Sequence, residues 1–357
     1  MPTLRQKIVD TNPAAVRDYA SLIAWNAGEQ ADLIALDEIR EALCRATSGI
    51  MDTAGPVSIS GWGADPGGTD ATRFIRIRGD DSRAYRVLNS AYYILHYHTP
   101  NNIIVIEEDF VRIENLQILC DNDDDYGANG ITCNGPGHGA TTDIRVTGCI
   151  IKNLTGVKAN GTCMGISFNM GDDRIARAIN NFIYNFNSGP TADRIGIYSD
   201  YPFTFLYNNT IYGCRQGIKI TNTGRHLAKN NIVQNSGGNA YGSSAFRAGS
   251  NYNISDDATT TGGANDLASA AVSFQGAAAD DFHLSAADAT AKDTGLNLSA
   301  DAYYPFAIDI DNRARPYGAA WDRGADEYEP QGGPPVDIGN LCPARRERIH
   351  VLQGMDK

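Results

Sequence analysis

The sequence has little positive charge, no regular cysteine spacing and no long apolar run. Its 357 residues hold 30 Lys and Arg against 42 Asp and Glu, a formal net charge of −12 that argues against a nucleic-acid partner. No stretch approaches a membrane span in length, and residues 1–10 contain no apolar core of signal-peptide length. We therefore expect a soluble protein made in the cytoplasm, without membrane insertion or Sec export.

The seven cysteines lie at irregular intervals and form no CxxC pair, which makes a zinc site of that type unexpected. Four of them fall in or beside apolar strand segments, where a free cysteine serves as a small core residue: Cys133, Cys149, Cys163 and Cys214. The sequence also lacks a Gly-rich phosphate loop, a nucleophile elbow and an HExxH motif. It therefore predicts no bound organic cofactor.

A short motif recurs along the middle of the chain with its hydrophobic frame intact. We align five residues at one position of the repeat: Asn115, Gly148, Asn181, Asn209 and Asn231. Successive members are 33, 33, 28 and 22 residues apart. A second motif of the type Gly-Ile-x-x begins at Gly130, Gly165, Arg194 and Gly217. Repeats of this length, built from Ile- and Val-rich segments separated by Asn and Gly, predict an all-β solenoid.

The repeat predicts which side chains stack from coil to coil. Those expected inside at one radial position are Ile150, Ile183, Ile211 and Val233. Beside them, Asn181, Asn209 and Asn231 are expected to form a ladder of amides in adjacent turns. Asn115 sits one residue out of this frame, because Leu116 or Ile118 fills the apolar position better than Gln117.

Composition divides the chain into three parts. Residues 1–50 are expected to cap the open end of the solenoid, with a helix that starts after Ser21 as N-cap and a second segment, 32–44, that is either a short helix or a first strand. Residues 51–329 are expected to form the coils, irregular between 237 and 279. Residues 330–357 form a polar tail that we expect to contact a neighbouring subunit.

The stretch 280–329 resembles the C-terminal coils of right-handed parallel β-helix proteins of the choice-of-anchor Q type, which are pectate-lyase-like solenoids. These carry the pattern DFHLSPxSPAIDxG…DxxGxxRPxGxxxDxGAxE, and the matching segments are Phe282–Ser285, Asp293–Gly295, Arg315–Gly318 and Asp322–Glu327. Where that pattern has Ser-Pro-Ala, this chain has Ala-Asp-Ala at 287–289. The segment DYASLIAW at 18–25 resembles the capping start of phage and prophage β-helix proteins. The resemblance implies a right-handed, single-stranded parallel β-helix, a fold that hosts enzymes, adhesins and proteins without activity.

Aspartates in turns are the candidates for chemistry. Asp121, Asp123 and Asp125 follow the Asn115 strand and are the candidates for a Ca²⁺ site. The catalytic candidates are Asp123, Asp125, Asp172, Asp173, Asp193 and Arg194, because β-helix lyases and hydrolases take carboxylates and a base from successive coils. The alternative is that these Asp-rich turns are solvated loops, since Asp suits turn geometry.

Two further groups of side chains have open alternatives. His96 and His98 alternate along one strand near Glu107, Glu108 and Asp109, which fits either a metal site or a polar outer face. Tyr184 and Tyr212 occupy the same repeat position and are expected to stack. Facing outward they would offer a platform for a glycan, and facing inward they would belong to the core.

The leading functional hypothesis is a phage virion surface protein without enzymatic activity: a homotrimeric capsid decoration protein, tail fibre or tailspike module. Its expected partners are other capsid or tail proteins and a host-surface polysaccharide. One alternative is a polysaccharide lyase or glycoside hydrolase of the same fold. Another is a non-catalytic adhesin that binds glycan.

Overall fold

The protein is a parallel β-helix. The structure, a computed structural model, describes residues 1–63, 68–80, 85–98, 102–121, 129–134, 142–154, 162–171, 174–187, 193–242 and 245–330. Strands, numbered in chain order, form three parallel sheets, A, B and C, and from β4 onward the chain visits them in that order once per coil.

Sheet A holds β1 (Thr3–Asp10), β2 (Glu38–Arg45), β4 (Ile75–Gly79), β7 (Val111–Glu114), β10 (Asp143–Thr147), β13 (Ile175–Ile179), β16 (Phe203–Tyr207) and β19 (His226–Lys229). Sheet B holds β5 (Ile94–His98), β8 (Gln117–Asp121), β11 (Ile150–Asn153), β14 (Phe182–Tyr184), β17 (Thr210–Tyr212), β20 (Ile232–Gln234) and β22 (Ile254–Ser255). Sheet C holds β3 (Val57–Ile59), β6 (Ile104–Ile106), β9 (Ile131–Cys133), β12 (Cys163–Phe168), β15 (Arg194–Ser199), β18 (Gln216–Ile220) and β21 (Tyr241–Gly242).

One apolar side chain per coil of sheet B stacks inside the solenoid. The row in register is Ile118, Ile151, Ile183, Ile211 and Val233, and all of them are buried. The prediction was wrong for Ile150, which pairs with Phe182 on the outer face of the sheet. The sequence frame aligned Gly148 with Asn181, and a slip of one residue moves a strand side chain to the opposite face. The predicted role of Ile118 is confirmed.

The corner between sheets A and B requires a left-handed backbone at one residue per coil. The residues with positive φ there are Asn115, Gly148, Asn180, Asn208, Asn230 and, in the last coil, Tyr252. Asn and Gly are the residues that adopt this conformation most easily. Asn115 and Gly148 therefore align with Asn180, one residue before Asn181. The prediction that Asn115 lies one residue out of the frame is confirmed.

The residue after this corner forms the predicted amide ladder. The Nδ2 of Asn181 donates to Oδ1 of Asn209 at 2.8 Å, and Asn209 donates likewise to Asn231 at 2.9 Å. One more rung, from Asn231 to Asn253, lies at 2.9 Å. All four side chains are buried. The ladder is confirmed and extends one coil further than the sequence motif indicated.

The second motif packs glycines against the inner row of sheet B. Its members are Gly130, Gly165, Gly196 and Gly217, since the isoleucines that follow them are in register. A Cβ on Gly196 would lie 2.6 Å from Cγ2 of Ile211, so no larger residue fits without displacement. The assignment of Arg194 to this row was wrong, because Arg194 lies two residues earlier in β15.

The N-terminal segment caps one end of the coils as predicted. Helix α1 (Leu22–Glu29) has Ser21 as N-cap, whose side chain accepts from the Ala24 backbone N–H at 3.3 Å. Segment 32–44 contains both candidates, helix α2 (Leu33–Leu36) and then β2. Trp25 is buried against Trp62, with ring centroids 5.5 Å apart. The cap therefore closes the apolar end with aromatic side chains.

Residues 274–329, here called the clasp, lie along the outside of the coils. They contain an antiparallel pair, β23 (Phe274–Gly276) and β24 (Asp281–Leu284), joined by a 3-10 turn, Ala277–Ala279. The expectation of coils through residue 329 was wrong: scattered clasp side chains such as Phe282, Ile310 and Trp321 instead bury outer-face residues of sheets A and B.

The described residues bear on three other expectations. Six cysteines are free and buried, which confirms the core role predicted for Cys133, Cys149, Cys163 and Cys214. Neither helix of the described part has the length and apolar content needed to cross a membrane. The tail predicted to be intermolecular lies, beyond residue 330, outside the described residues.

Candidate functional site

The predicted aspartates are divided between described and undescribed segments. Asp123, Asp125, Asp172 and Asp173 lie outside the described residues. Asp193 precedes β15 and pairs with Nζ of Lys219 at 2.6 Å, while Arg194 is fully buried in β15. Asp121 ends β8, two coils away along the axis, with its Oδ2 3.4 Å from Nε2 of His96. Asp121 and Asp193 therefore belong to separate polar pairs, Asp121 with His96 and Asp193 with Lys219.

The tyrosine pair is stacked, but it is covered. Tyr184 and Tyr212 are partners in register on β14 and β17. Phe282 of the clasp lies over both, with ring centroids 4.7 Å from Tyr184 and 4.9 Å from Tyr212. Tyr184 has 0% exposure, so its ring offers no surface to a sugar. The pair belongs to an apolar layer between sheet B and the clasp.

The outer face of sheet A carries four arginines in register, here called the basic row: Arg76, Arg112, Arg145 and Arg177. They lie on β4, β7, β10 and β13, one per coil, so neighbouring backbones are about 4.8 Å apart. Phe205 and Leu227 continue the same row on the next two strands. A straight line of guanidinium groups thus runs along the solenoid axis.

Carboxylates offset only part of this charge. Arg76 contacts Glu41 and Glu114, and Asp143 contacts both Arg145 and Arg177. Arg112 has no carboxylate oxygen within ion-pair distance among the described residues. Its guanidinium lies 3.3 Å from the centroid of the Phe74 ring, and its Nη2 donates to the Ala71 carbonyl at 3.3 Å.

Within the basic row, burial and neighbouring positive charge disfavour the charged form of Arg112. Burial, reinforced by the positive charge of Arg145, lowers the pKa of Arg112 to about 9. A pKa lowered in this way means that burial destabilises the charged form by more than its neighbours stabilise it. A bound anion at this point would add stabilisation of the charged form. The planar guanidinium fork suits carboxylate, sulfate and phosphate groups, which it binds through two parallel hydrogen bonds.

Aromatic side chains of the clasp border the basic row. Tyr304 lies against Arg145 and Arg177, whose guanidinium carbons are 5.4 Å and 5.6 Å from its ring centroid. Tyr303 is 41% exposed and stacks on Phe205, with centroids 4.8 Å apart. Arg247 also lies over the Tyr303 ring, 4.9 Å from its centroid, and donates to its hydroxyl at 2.9 Å.

Arg177 is itself buried beneath the clasp, where its Nη2 donates to the Tyr303 carbonyl at 3.3 Å. The candidate binding face is therefore formed by the accessible part of the basic row, Arg76, Arg112 and Arg145, together with Tyr303.

The sequence contained a signal for this face. Each arginine stands between two apolar residues of a strand, as in Ile75-Arg76-Ile77 and Val111-Arg112-Ile113. Alternation in a strand places such an arginine on the outer face, and the strand precedes the Asn or Gly corner of its coil. Tyr303 gave no comparable signal, because its position depends on how the clasp folds back.

Buried polar contacts hold the clasp against the coils. The Asn208 side chain donates to the carbonyls of Asp322 and Gly324, at 3.2 Å and 2.9 Å. Arg315 is buried and pairs with Glu327 at 3.0 Å. Buried groups of this kind are stable only when their partners are in place. The segments that carry the family resemblance thus have a structural role here.

Comparison with known proteins adds no family to this description. Neither the protein-family models nor the curated proteins searched contain a match to the chain.

Proposed function

We propose that this protein is a non-catalytic surface protein that binds an acidic polysaccharide lengthwise along the basic row of sheet A. The observation that carries the proposal is the row itself: four arginines in register on one face of a chain whose formal net charge is −12. Charges repeated at regular steps along a straight axis suit a polymer whose own charges repeat. A small anion would need only one of them.

The solenoid supports this function by holding the row rigid. Backbone pairing between coils fixes the spacing, and the buried amide ladder and the clasp both hold the corner between sheets A and B in place. A preorganised line of donors loses little conformational entropy when a polymer binds. The setting that we propose is a phage virion, as a capsid or tail component, which follows from the resemblance of segment 18–25 and from the fold.

The binding test is a titration of the purified protein with oligosaccharides of polygalacturonate, a sulfated polysaccharide and neutral dextran. We expect the acidic polymers to bind, with an affinity that falls as salt concentration rises, and dextran not to bind. Equal affinity for dextran, or no binding of either acidic polymer at low salt, would contradict the proposal.

The same samples test the enzymatic alternative. We expect no unsaturated uronate and no new reducing ends after prolonged incubation with these polymers. Turnover that disappears when Asp123, Asp124 and Asp125 are replaced by Ala would establish a lyase or hydrolase instead. Binding without turnover supports the surface-protein function.

We also propose that the protein is a homotrimer whose tail, residues 330–357, contacts a neighbouring subunit. Sedimentation of the full chain and of a chain ending before Gln331 tests this. A trimer that weakens on truncation is expected. A monomer at micromolar concentration in both cases would exclude it.

A further inference from the structure

Three potential metal ligands of the clasp converge in a buried position. Nε2 of His283, a carboxylate oxygen of Asp311 and one of Asp326 all lie within 4.8 Å of one another. Each of these residues is at most 4% exposed. They come from three separate segments: β24, the turn near residue 311 and the segment that follows Trp321.

Each ligand is held by its other polar atom. Nδ1 of His283 lies 2.6 Å from Oδ1 of Asp281. Oδ1 of Asp311 accepts the backbone N–H of Arg86 at 2.7 Å, and Oδ2 of Asp326 accepts that of Leu284 at 2.7 Å. One atom of each side chain is thereby left for the common centre.

The centre lacks the hydrogen bonds that buried polar atoms normally make. Oδ1 of Asp326 is buried and has no hydrogen-bond partner. Nε2 of His283 lies 3.3 Å from Oδ2 of Asp311, but the two atoms do not have hydrogen-bond geometry. An unpaired buried carboxylate oxygen is costly, and a cation at the centre would remove that cost.

His283 has a carboxylate partner at Nδ1, as the imidazole ligands of metal ions usually have. If Nδ1 carries the proton and donates it to Asp281, Nε2 presents a lone pair to the centre. Asp281 is itself fixed, because its Oδ2 accepts the Tyr85 hydroxyl at 2.8 Å. The Tyr85 ring stacks on the imidazole with centroids 3.8 Å apart, and Phe182 meets it edge-on at 5.3 Å. The ring orientation is therefore set from both sides.

We propose that His283, Asp311 and Asp326 bind one divalent transition-metal ion, Zn²⁺ by preference, which fastens three segments of the clasp to one another. One imidazole nitrogen and two carboxylate oxygens suit Zn²⁺ or Mn²⁺, whereas Ca²⁺ takes six to eight oxygen ligands. Arg313 stands beside the site, with its Nη1 3.5 Å from Oδ2 of Asp311. This site is separate from the basic row and does not depend on the proposed polysaccharide.

The competing arrangement is a metal-free ion cluster in which a protonated His283 neutralises the two carboxylates. The untagged full chain distinguishes the two after chelator treatment and dialysis against Zn²⁺, Mn²⁺ or Ca²⁺. We expect one equivalent of Zn²⁺ per chain by elemental analysis and a higher unfolding temperature, because a ligand that binds only the folded state stabilises it. Absence of bound Zn²⁺ and an unchanged unfolding temperature would overturn the proposal.

Variants locate the ion. Asp326→Asn keeps an acceptor for Leu284 but removes the charged ligand, and we expect the bound equivalent to be lost. Asp281→Asn changes the residue that orients His283 and leaves the three ligands in place. We expect its affinity for Zn²⁺ to be about 10- to 100-fold weaker than that of the wild type. His96→Gln removes the surface histidine beside Asp121, and this control should leave the stoichiometry unchanged. Loss of zinc in the control with retention in Asp326→Asn would place the ion elsewhere and refute the assignment.

Cobalt substitution of the wild-type chain provides a readout that does not depend on a folded variant. Co²⁺ in a four-coordinate nitrogen and oxygen site gives visible absorption bands that the hydrated ion does not show. We expect such bands at one equivalent, abolished by added Zn²⁺. A spectrum identical to that of free Co²⁺ would count against the site even if Asp326→Asn fails to fold.

Discussion

The side chain of Asn209 donates from Nδ2 to Oδ1 of Asn231 at 2.9 Å, and the backbone N–H of Asn209 donates to the same oxygen at 3.0 Å. The same double contact joins Asn181 to Asn209 and Asn231 to Asn253. Each amide also donates to a carbonyl of a neighbouring coil, as Asn209 does to Ala178 at 2.8 Å. The coils are therefore linked by a buried chain of hydrogen bonds in addition to their β-sheet pairing.

Replacing Asn209 by Ala should lower the free energy of unfolding by about 3 kcal/mol or more. The change removes Oδ1, which accepts the backbone N–H and the side-chain Nδ2 of Asn181, and it removes the Nδ2 donor to the Ala178 carbonyl. Each buried group left without a partner costs about 1–3 kcal/mol. Urea unfolding followed by circular dichroism measures the effect. Asn265→Ala is the control, because Asn265 is exposed and its side chain makes no hydrogen bond among the described residues. Equal loss in both variants would mean that the ladder adds nothing specific.

Replacing Gly196 by Ala should destabilise the protein by about 1–3 kcal/mol, the usual cost of overfilling a packed core. The new methyl group would meet Cγ2 of Ile211 at 2.6 Å and the Gly217 carbonyl oxygen at 2.8 Å. At Gly171 the same methyl group meets nothing within 4 Å, so Gly171→Ala is a matched control. Midpoints of thermal unfolding compare the two variants. A Gly196→Ala protein as stable as the control would show that this row is not tightly packed.

Acid should weaken the protein through His226. This imidazole is buried beside Thr204, and burial lowers its pKa to about 4. The unfolded chain takes up the proton near pH 6.5 while the folded chain does not, so stability falls as the pH drops from about 6.5 to 4, by at most about 3 kcal/mol. Between pH 6.5 and 4, the free energy of unfolding of His226→Gln should fall by less than that of the wild type, and the difference should equal the contribution of His226. Parallel pH profiles for the two proteins would contradict the assignment.

Repetition made the coils predictable. A period-2 pattern bounded by Asn and Gly fixes which side chains enter the core. The error at Ile150 arose because the sequence frame aligned Gly148 with Asn181, whereas Gly148 occupies the left-handed corner position that Asn180 occupies one coil later. Gly and Asn are interchangeable in the left-handed region, so the sequence alone left the frame open by one residue.

The clasp and the binding face were less predictable for physical reasons. Residues 274–329 contain no repeated apolar pattern, and their position depends on long-range contacts such as Phe282 with Tyr184. Those contacts also decide that Tyr184 is covered and Tyr303 is exposed. The basic row had a local signal in its strands, whereas the grouping of His283, Asp311 and Asp326 had none, because three distant segments meet only in the folded chain.

The most direct test of the proposed function compares polygalacturonate binding by the wild type and by an Arg112→Gln, Arg145→Gln double variant. Glutamine keeps a hydrogen-bonding side chain but removes both charges from the centre of the row, while Arg215→Gln removes one charge from a turn between sheets B and C. We predict a loss of affinity of about tenfold or more in the double variant, about 1.4 kcal/mol or more, with a shallower dependence on salt. Unchanged affinity in the double variant, or an equal loss in Arg215→Gln, would contradict a polysaccharide site on the basic row.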